Sequence, residues 1–251
     1  MENIKVVGII PARYGSSRCP GKPLIPINGK LMIQRVYEQC SRSTLLQSVC
    51  VATDDTRIAE AVESFGGKVV MTRADHPSGT DRVAEAAEKL NADIVVNIQG
   101  DQPFVDVSMI DEAVKPMIEA DAPDVSTLMF PMKDEKILSD YSVVKVVVTL
   151  AGNALYFSRA RIPYPRENIE HTVYEHVGIY VYRKDTLIKL TQLPASMLEK
   201  VESLEQLRWL EHGLRIRVTE STVSDTFFHG FSIDTKEDFE RAEQMLRERS
   251  L

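Results

Sequence analysis

KVVGIIPARYGSSRCPGKPL, residues 5–24, opens with a continuous apolar run and passes directly into a loop of prolines, glycines and basic side chains. A short apolar run that ends at Pro11 is typical of a strand buried on both faces. Apolar residues at helical spacing follow over residues 31–40, with Val36 and Cys40 among them. A buried strand, a loop and an amphipathic helix together indicate the start of a parallel α/β sheet.

The same alternation continues along the first half of the chain. Further strands are predicted at residues 49–52, 68–71 and 94–97. Amphipathic helices lie between them, and we expect Thr53 and Asp54 to cap the second one, which Gly66 and Gly67 close. The order β-α-β-α-β-α-β predicts a doubly wound, mostly parallel sheet that binds its ligands outside the carboxyl ends of its strands.

The second half of the chain is less regular. Strand patterns occur at residues 143–148, 154–157, 176–182 and 215–218, and helical patterns at 184–192, 203–212 and 236–248. Residues 163–172 form a polar stretch with two prolines, the loosest part of the sequence. We predict one α/β domain over residues 1–251, with a smaller sheet in a subdomain at about residues 130–185.

Composition narrows the class of protein. The 251 residues carry a net charge of −7, which argues against broad nucleic-acid binding because such binding needs a basic face. Cys19, Cys40 and Cys50 form no CxxC pair and no even set, so we expect a reducing compartment. We find no signal-peptide pattern and no apolar run near the ~18 residues of a membrane-spanning helix. The expected location is the cytoplasm, without membrane insertion.

The loop over residues 11–24 has the composition of a phosphate-binding segment. It holds two arginines, one lysine, two glycines and two adjacent serines directly after the first strand. Cationic side chains and exposed backbone amides can surround a triphosphate from several sides. The sequence fits neither GxxxxGK[ST] nor GxGxxG. A solvated basic loop is the alternative, and its position at the ligand end of the sheet favours phosphate binding.

With its neighbours, this loop resembles the opening of the 3-deoxy-manno-octulosonate (Kdo) cytidylyltransferases, the CMP-Kdo synthetases. The resemblance runs in order through IPARYGSSRCPGKPL (10–24), ATDD (52–55), SGTDR (78–82), NIQGDQP (97–103), VKVV (144–147), ALYFSRARIPYPR (154–166), EHVGIYVYR (175–183), ESLEQLRWLEHG (202–213) and SIDTKEDFERAE (232–243). It implies a nucleotide-diphospho-sugar transferase-like fold and transfer of CMP from CTP to Kdo, with release of pyrophosphate.

The resemblance implies a catalytic set and a metal site. The phosphates would be held by Arg13, Arg18 and Lys22. Asp101 and Asp234 would bind Mg²⁺, and both follow predicted strands, where hard oxygen ligands suit that ion. The catalytic residues would then be Arg13, Lys22, Asp101 and Asp234. On spacing alone, the better interpretation of Asp234 is that it begins the last helix, and the resemblance reverses that preference.

The resemblance also implies substrate contacts. The nucleotide-binding residues would be Pro11, Ala12, Arg13, Arg18, Lys22, Ser78, Arg82 and Gln99. The sugar-binding residues would be Gln99, Arg166, His176, Tyr180, Glu205 and Gln206. Ser78 and Thr80 would otherwise be ordinary helix caps, and a lone histidine such as His176 is otherwise a satisfied core residue. His76, His171, His212 and His229 keep that structural interpretation.

A homodimer is expected from the same resemblance, through the region of residues 176–182. Ile179 and Val181 alternate with His176 and Tyr180, which predicts an apolar strand face left for a partner to bury. Two positions depart from the family pattern. Cys19 replaces a bulkier apolar residue and Gln102 replaces a glutamate.

Several functions stay open at this point. Because of the Gln102 difference, the acceptor is Kdo or, alternatively, its 8-amino analogue or another sugar acid. A dinucleotide-binding oxidoreductase and a non-catalytic nucleotide sensor are the competing classes. The absence of GxGxxG and the crowded basic loop argue against the first class. The second class is disfavoured by the joint presence of Arg13, Arg18, Lys22, Asp101 and Asp234.

Overall fold

The computed structural model describes residues 4–15, 19–132, 135–167, 169–223, 232–233 and 235–249. The chain forms two compact units. Unit 1 comprises Met1–Asp111 and Val223–Leu251, and unit 2 comprises Glu112–Thr222. The predicted subdomain at residues 130–185 falls within the bounds of unit 2, and its assignment within one domain stays a prediction.

Unit 1 contains the parallel sheet that the sequence predicts. Its main strands are β1 (Val6–Ala12), β4 (Ser48–Thr53), β5 (Val69–Met71) and β6 (Ile94–Asn97). They lie in the order β6-β1-β4-β5, and every pairing among them is parallel. The chain moves outward from β1 to β5 and then returns to the other side of β1. The order of the strands therefore reverses between β1 and β6, where doubly wound sheets bind their ligands.

Three helices connect these strands: α1 (Met32–Cys40), α2 (Thr56–Ser64) and α3 (Gly79–Glu88). Ile58 and Val62 are the buried apolar positions of α2, one helical turn apart. Asp55 caps α2, since its carboxylate accepts a hydrogen bond from the backbone N–H of Arg57 at 3.0 Å. The expectation that Thr53 and Asp54 cap this helix is therefore wrong, because the helix begins one residue later.

Smaller elements complete unit 1. A 3₁₀ turn at Lys22–Leu24 is followed by the hairpin strands β2 (Pro26–Ile27) and β3 (Lys30–Leu31). Asn28 and Gly29 join them with φ of 45° and 78°, the left-handed conformation that a tight hairpin turn needs. The closing helix α9 (Lys236–Arg249) is present as predicted, and its Phe239 and Ala242 pack on Ile27.

Unit 2 holds five strands: β7 (Val125–Met132), β8 (Lys145–Val148), β9 (Ala154–Ser158), β10 (Val173–Arg183) and β11 (Ile216–Glu220). They lie in the order β11-β7-β10-β8-β9. Only β7 and β11 pair in parallel among these strands, in contrast to unit 1. The sequence analysis predicted four of the strands and missed β7, to which both β10 and β11 are hydrogen-bonded.

The helices of unit 2 are α5 (Glu135–Leu138), α6 (Lys184–Thr191), α7 (Met197–Glu202) and α8 (Glu205–Glu211). The helix α4 (Val107–Ile118) contains the boundary between the units and was not predicted. None of the helices in the described part of the chain is long and apolar enough to cross a membrane.

The last part of strand β10, residues 179–182, is buried on both faces within one chain. Ile179, Val181 and Tyr182 have no exposed surface, and Tyr180 retains 8%. The pairing with β7 is interrupted between Val177 and Val181, which breaks the simple alternation of faces. The argument that Ile179 and Val181 need a partner to cover them is therefore wrong, since both are already buried in the single chain.

Candidate active site

A cavity of about 260 Å³ lies at the strand ends of unit 1. It is lined by Pro11, Ala12, Arg13, Lys22, Pro23, Met32, His76, Pro77, Ser78, Gly79, Arg82, Gln99, Gly100 and Asp101. Pro11 and Ala12 end β1, and Gln99 follows β6, so the cavity occupies the point where the strand order reverses. Seven of the eight predicted nucleotide-binding residues line it. The eighth, Arg18, lies outside the described residues.

Gly100 allows the loop after β6 to approach the end of β1. A Cβ atom at this position would lie 2.8 Å from the backbone oxygen of Pro11, too close for any other residue. The loop begins where the backbone N–H of Ile98 donates to the carbonyl of Ile9 at 3.1 Å. Asp101 follows directly and is thereby held at the carboxyl edge of the sheet.

Lys22 and Asp101 form an ion pair across the cavity. Nζ of Lys22 donates to Oδ2 of Asp101 at 2.9 Å. Lys22 is placed by Gly21, which has a φ of 71° and whose N–H donates to the carbonyl of Tyr14 at 2.9 Å. The positive φ favours glycine at this position, and a Cβ there would stand only 3.1 Å from the Tyr14 ring.

Asp234, the second predicted metal ligand, lies outside the described residues. Its neighbour Ile233 donates its backbone N–H to the carbonyl of Asp101 at 3.0 Å. The cap of α9 is Thr235, whose N–H donates to Asp238 at 2.8 Å and whose hydroxyl accepts from the Asp238 N–H at 3.2 Å. Thr235 and Asp238 therefore form a reciprocal cap at the start of this helix.

The ligand groups near this cavity suit Mg²⁺ shared with a substrate better than a metal ion bound only by protein side chains. Among the described residues, no group of three or more histidine, cysteine or carboxylate side chains is close enough to hold an ion. Mg²⁺ characteristically takes one or two carboxylates and completes its shell with substrate phosphates and water. Asp101 keeps 31% of its side chain exposed beside the cavity, which suits a shared ligand of this kind.

Arg82 is a buried cation with two fixed partners. Its NH2 group lies 2.9 Å from Oδ1 of Asp54, and its NH1 group donates to the Thr72 hydroxyl at 2.6 Å. Ser78 caps α3, accepting from the N–H of Asp81 at 3.1 Å. The capping interpretation of Ser78 is thus confirmed, although the residue also lines the cavity. Thr80 lies inside the helix and is not the cap.

The sequence predicts a structural role for His76, and in the structure this residue also lines the cavity. Its Nε2 lies 2.5 Å from Oε2 of Glu85. Burial acts to raise the pKa of Glu85, but hydrogen bonds from Lys89, the Arg73 N–H and His76 outweigh it and lower the pKa to about 2. Glu85 is therefore ionised at neutral pH and orients the imidazole.

A second cavity, of about 580 Å³, lies in unit 2. It is lined by Met132, Leu138, Arg161, Pro165, Arg166, Glu167, Ile169, Glu170, His171 and Val173. Arg166 lies in the predicted loose segment and is exposed, so its guanidinium is accessible. Arg161 adds a second guanidinium to the same cavity, which sequence reasoning missed. The interpretation of His171 and His212 as core residues is wrong, because both are exposed.

His176 and Tyr180 come together in an aromatic cluster of unit 2. Their ring centroids lie 5.3 Å apart, and Tyr180 also meets the Trp209 ring edge-on at 5.1 Å. Nε2 of His176 lies 3.0 Å from the Thr127 hydroxyl. Burial lowers the pKa of His176 to about 3, so the imidazole is neutral at pH 7 and serves as a hydrogen-bonding group.

Glu205 and Gln206 open helix α8 next to this cluster. Burial raises the pKa of Tyr180, and the nearby negative charge of Glu205 raises it further. Gln206 is buried, with 5% of its surface exposed. The structure therefore brings Tyr180 close to His176 and to Glu205. Arg166 lines the second cavity, whose described lining residues include none of these.

Cys19 and Gln102, the two residues that differ from the family pattern, each have clear local contacts. Cys19 packs against the apolar cluster that contains Ile27 and Met32, so it takes the place of an apolar residue. Gln102 lies in the turn after Asp101, where its N–H donates to the carbonyl of Gln99 at 3.3 Å. Neither residue lines the cavity of unit 1.

Comparison with known proteins agrees with this geometry. A family model described as Cytidylyltransferase matches residues 7–216. A protein of Syntrophotalea carbinolica named 3-deoxy-manno-octulosonate cytidylyltransferase is 48% identical, covering 97% of this chain and 99% of its own. A protein of the same name from Phocaeicola vulgatus is 50% identical, covering 98% of this chain and 99% of its own.

Solved structures extend the comparison to the fold. A CMP:2-keto-3-deoxy-manno-octonic acid synthetase complexed with CTP has a TM-score of 0.92 at 45% identity, covering 98% of this chain and 99% of that one. A 4-diphosphocytidyl-2C-methyl-D-erythritol synthase from Anaerococcus prevotii has a TM-score of 0.63 at 14% identity, covering 97% of this chain and 96% of that one, and shares the fold. The chain belongs to the cytidylyltransferase family, among the 3-deoxy-manno-octulosonate cytidylyltransferases.

Proposed function

We propose that this protein transfers CMP from CTP to Kdo and releases pyrophosphate, a step that supplies lipopolysaccharide synthesis. The observation that carries the proposal is identity of 44–50% over at least 95% of the chain with proteins of that name. The structural likeness to a synthetase complexed with CTP supports the same substrate.

The cavity of unit 1 is proposed to hold CTP. Pro11 and Ala12 would meet the base through backbone groups, and Ser78, Arg82 and Gln99 would complete the nucleoside contacts. Arg13 and Lys22 would hold the phosphates, with Arg18 of the same loop as the third cation. In the reaction a sugar hydroxyl attacks the α-phosphorus and pyrophosphate leaves. Negative charge grows on the phosphoryl oxygens, where fixed cations lower the barrier.

Magnesium is the proposed cofactor, and Asp101 and Asp234 would hold it. When bound, the ion neutralises phosphate charge and orients the leaving group. The hydrogen bond from Ile233 to the Asp101 carbonyl supports a shared role for the two sequence segments.

Unit 2 is proposed to supply most of the contacts to the sugar acid. Arg166 can bind the C1 carboxylate through two parallel hydrogen bonds. Glu205, Gln206, Tyr180 and the neutral His176 suit sugar hydroxyls, which both donate and accept hydrogen bonds. Gln99, which lines the cavity of unit 1, is the remaining residue predicted to bind the sugar.

A cytoplasmic homodimer completes the proposal. Large exposed apolar side chains on unit 2 support association, among them Leu155 at 60%, Met197 at 72% and Val201 at 72% exposure. Surfaces of this kind mark interaction sites when they are contiguous. Sedimentation of the protein at micromolar concentration tests the dimer, and a monomeric mass rejects it.

A panel of acceptors tests the function. The protein is incubated with CTP, Mg²⁺ and, separately, Kdo, 8-amino-Kdo and a sialic acid, while pyrophosphate is monitored. We expect rapid release with Kdo and little with the sialic acid. Release with 8-amino-Kdo alone would replace the acceptor, and release with none of the three would overturn the proposal.

A further inference from the structure

The ATDD motif, residues 52–55, caps α2 through its second carboxylate, Asp55. Its first carboxylate, Asp54, instead contacts the buried Arg82 of the nucleotide cavity. We propose that Asp54 is a positioning residue, which fixes the guanidinium of Arg82 in the orientation that CTP requires. This inference rests on the proposed function for the identity of the nucleotide.

Two contacts position the guanidinium of Arg82. Asp54 follows the end of β4, and its Oδ1 forms an ion pair with the NH2 group at 2.9 Å, although this oxygen accepts no hydrogen bond from the described residues. Thr72, which follows β5, accepts a hydrogen bond from the NH1 group at 2.6 Å. The ion pair and the hydrogen bond therefore act on the two ends of one planar group, from segments that follow different strands. A guanidinium has five N–H donors, so these contacts leave others for a ligand.

Because Arg82 is buried, its positive charge needs the carboxylate of Asp54 as a partner. Only 5% of the Arg82 side chain is exposed, whereas Asp54 keeps 23%. A buried cation is costly unless a negative group compensates it, and removing one partner of such a pair leaves the other uncompensated. Without Asp54, we expect the guanidinium to turn toward water or toward bound phosphate, away from the nucleoside.

The adjacent carboxylate has a different task. Asp55 caps α2 and pairs with Arg57, whose side chain is 55% exposed. Arg57 does not line the cavity. Of these two neighbouring acidic residues, Asp54 therefore contacts a residue of the nucleotide cavity, whereas Asp55 caps a helix.

A double-mutant cycle tests the inference. CTP affinity is measured calorimetrically for the full chain, for Asp54→Asn, for Arg82→Gln and for the double variant. Inorganic tripolyphosphate serves as a second probe, because it reports the electrostatic field of the cavity without a nucleoside. Asp121→Asn is the matched control, since Asp121 pairs with Arg215 at 3.0 Å and neither residue lines the cavity. Thermal unfolding is followed for every variant.

We expect Asp54→Asn to weaken CTP binding about tenfold, in line with loss of one charge-assisted contact. Tripolyphosphate binding should stay equal or tighten, because a negative charge has been removed. In the Arg82→Gln background the Asp54 change should have no further effect on CTP. Asp54→Glu should restore part of the affinity, and Asp121→Asn should leave it unchanged.

Other outcomes overturn the inference. The inference fails if Asp54→Asn leaves the CTP affinity unchanged, or if this variant loses equal affinity for CTP and for tripolyphosphate. It also fails if the losses of CTP affinity add up in the double variant. If the unaltered protein binds CTP but does not use Kdo, the proposed function fails while these binding data still decide the role of Asp54. If it does not bind CTP, both fail.

Discussion

Nζ of Lys22 lies 2.9 Å from Oδ2 of Asp101, and the two side chains come from loops that follow different strands. The proposed phosphate-binding cation and the proposed metal-binding carboxylate therefore neutralise each other before substrates bind. Both are partly buried, with 12% and 31% of their side chains exposed. Binding of CTP with Mg²⁺ would replace this contact with one from Lys22 to phosphate and one from Asp101 to the ion.

Asp101→Asn should remove most activity while the fold is retained. The change deletes the ligand charge and keeps the shape of the side chain, and the amide oxygen can still accept from Lys22. We expect kcat/KM to fall at least about a hundredfold, as for loss of a group that acts in the transition state. Turnover is measured over a range of Mg²⁺ concentrations. Near-native Mg²⁺-dependent turnover would show that Asp101 is not a ligand.

Lys22→Ala should weaken CTP binding and also slow the chemical step. A point charge near the phosphates stabilises both the bound substrate and the transition state, so KM should rise and kcat fall. The variant also leaves Asp101 without its ion-pair partner. Pre-steady-state measurements separate the two effects, and an unchanged nucleotide affinity together with an unchanged rate would contradict the assignment.

Arg166→Lys should impair use of the sugar much more than CTP binding. Lysine retains the charge but loses the paired hydrogen bonds that a guanidinium makes with a carboxylate. We expect a loss of about 1–3 kcal/mol in kcat/KM for Kdo. Arg42→Lys is a control of the same kind, because Arg42 contacts Gln39 on the surface and lines neither cavity. A larger effect on CTP than on Kdo would move Arg166 to the nucleotide site.

Glu175 should make the stability of the protein depend on pH near neutrality. Burial raises its pKa to about 7, and the nearby Lys145 offsets only part of this effect. The folded state therefore holds a proton that the unfolded state has lost, so the stabilising contribution is present at low pH and disappears as pH rises through about 7.

Glu175→Gln imitates the protonated carboxyl. Both proteins keep His176, whose titration changes the stability with pH in the opposite direction, so its contribution cancels in the comparison. The free energy of unfolding of the wild-type protein should fall relative to the variant between about pH 5 and about pH 8. Urea unfolding of both proteins across this range gives the difference. A difference that is constant with pH would contradict the raised pKa.

The strands and helices of unit 1 were predictable because local patterns specify them. The apolar run that forms β1 and the spacing of Ile58 and Val62 in α2 are visible in short windows of sequence. The predicted doubly wound sheet also placed the ligand site outside the carboxyl ends of its strands, where the cavity of unit 1 lies. Helix α4 was missed although Ile110, Ala113 and Met117 are buried at helical spacing, so its signal was present in the sequence.

Contacts between distant residues could not be predicted. Asp54 was expected to cap a helix because it lies at a helix start, yet its partner Arg82 is 28 positions away. Burial of Ile179 and Val181 depends on how unit 2 packs, and alternation along β10 does not show whether the same chain covers a face. Pairing of Lys22 with Asp101 likewise depends on the close approach that Gly100 permits.

The most direct test of the central claim follows the phosphorus atoms of CTP. The protein is incubated with Kdo and Mg²⁺, in parallel reactions, with CTP labelled at the α-phosphate or at the γ-phosphate. The account predicts that the α-label appears in a product containing both CMP and Kdo, and that the γ-label appears in pyrophosphate. Transfer of the γ-label to the sugar, or no Kdo-dependent release of either label, would contradict it.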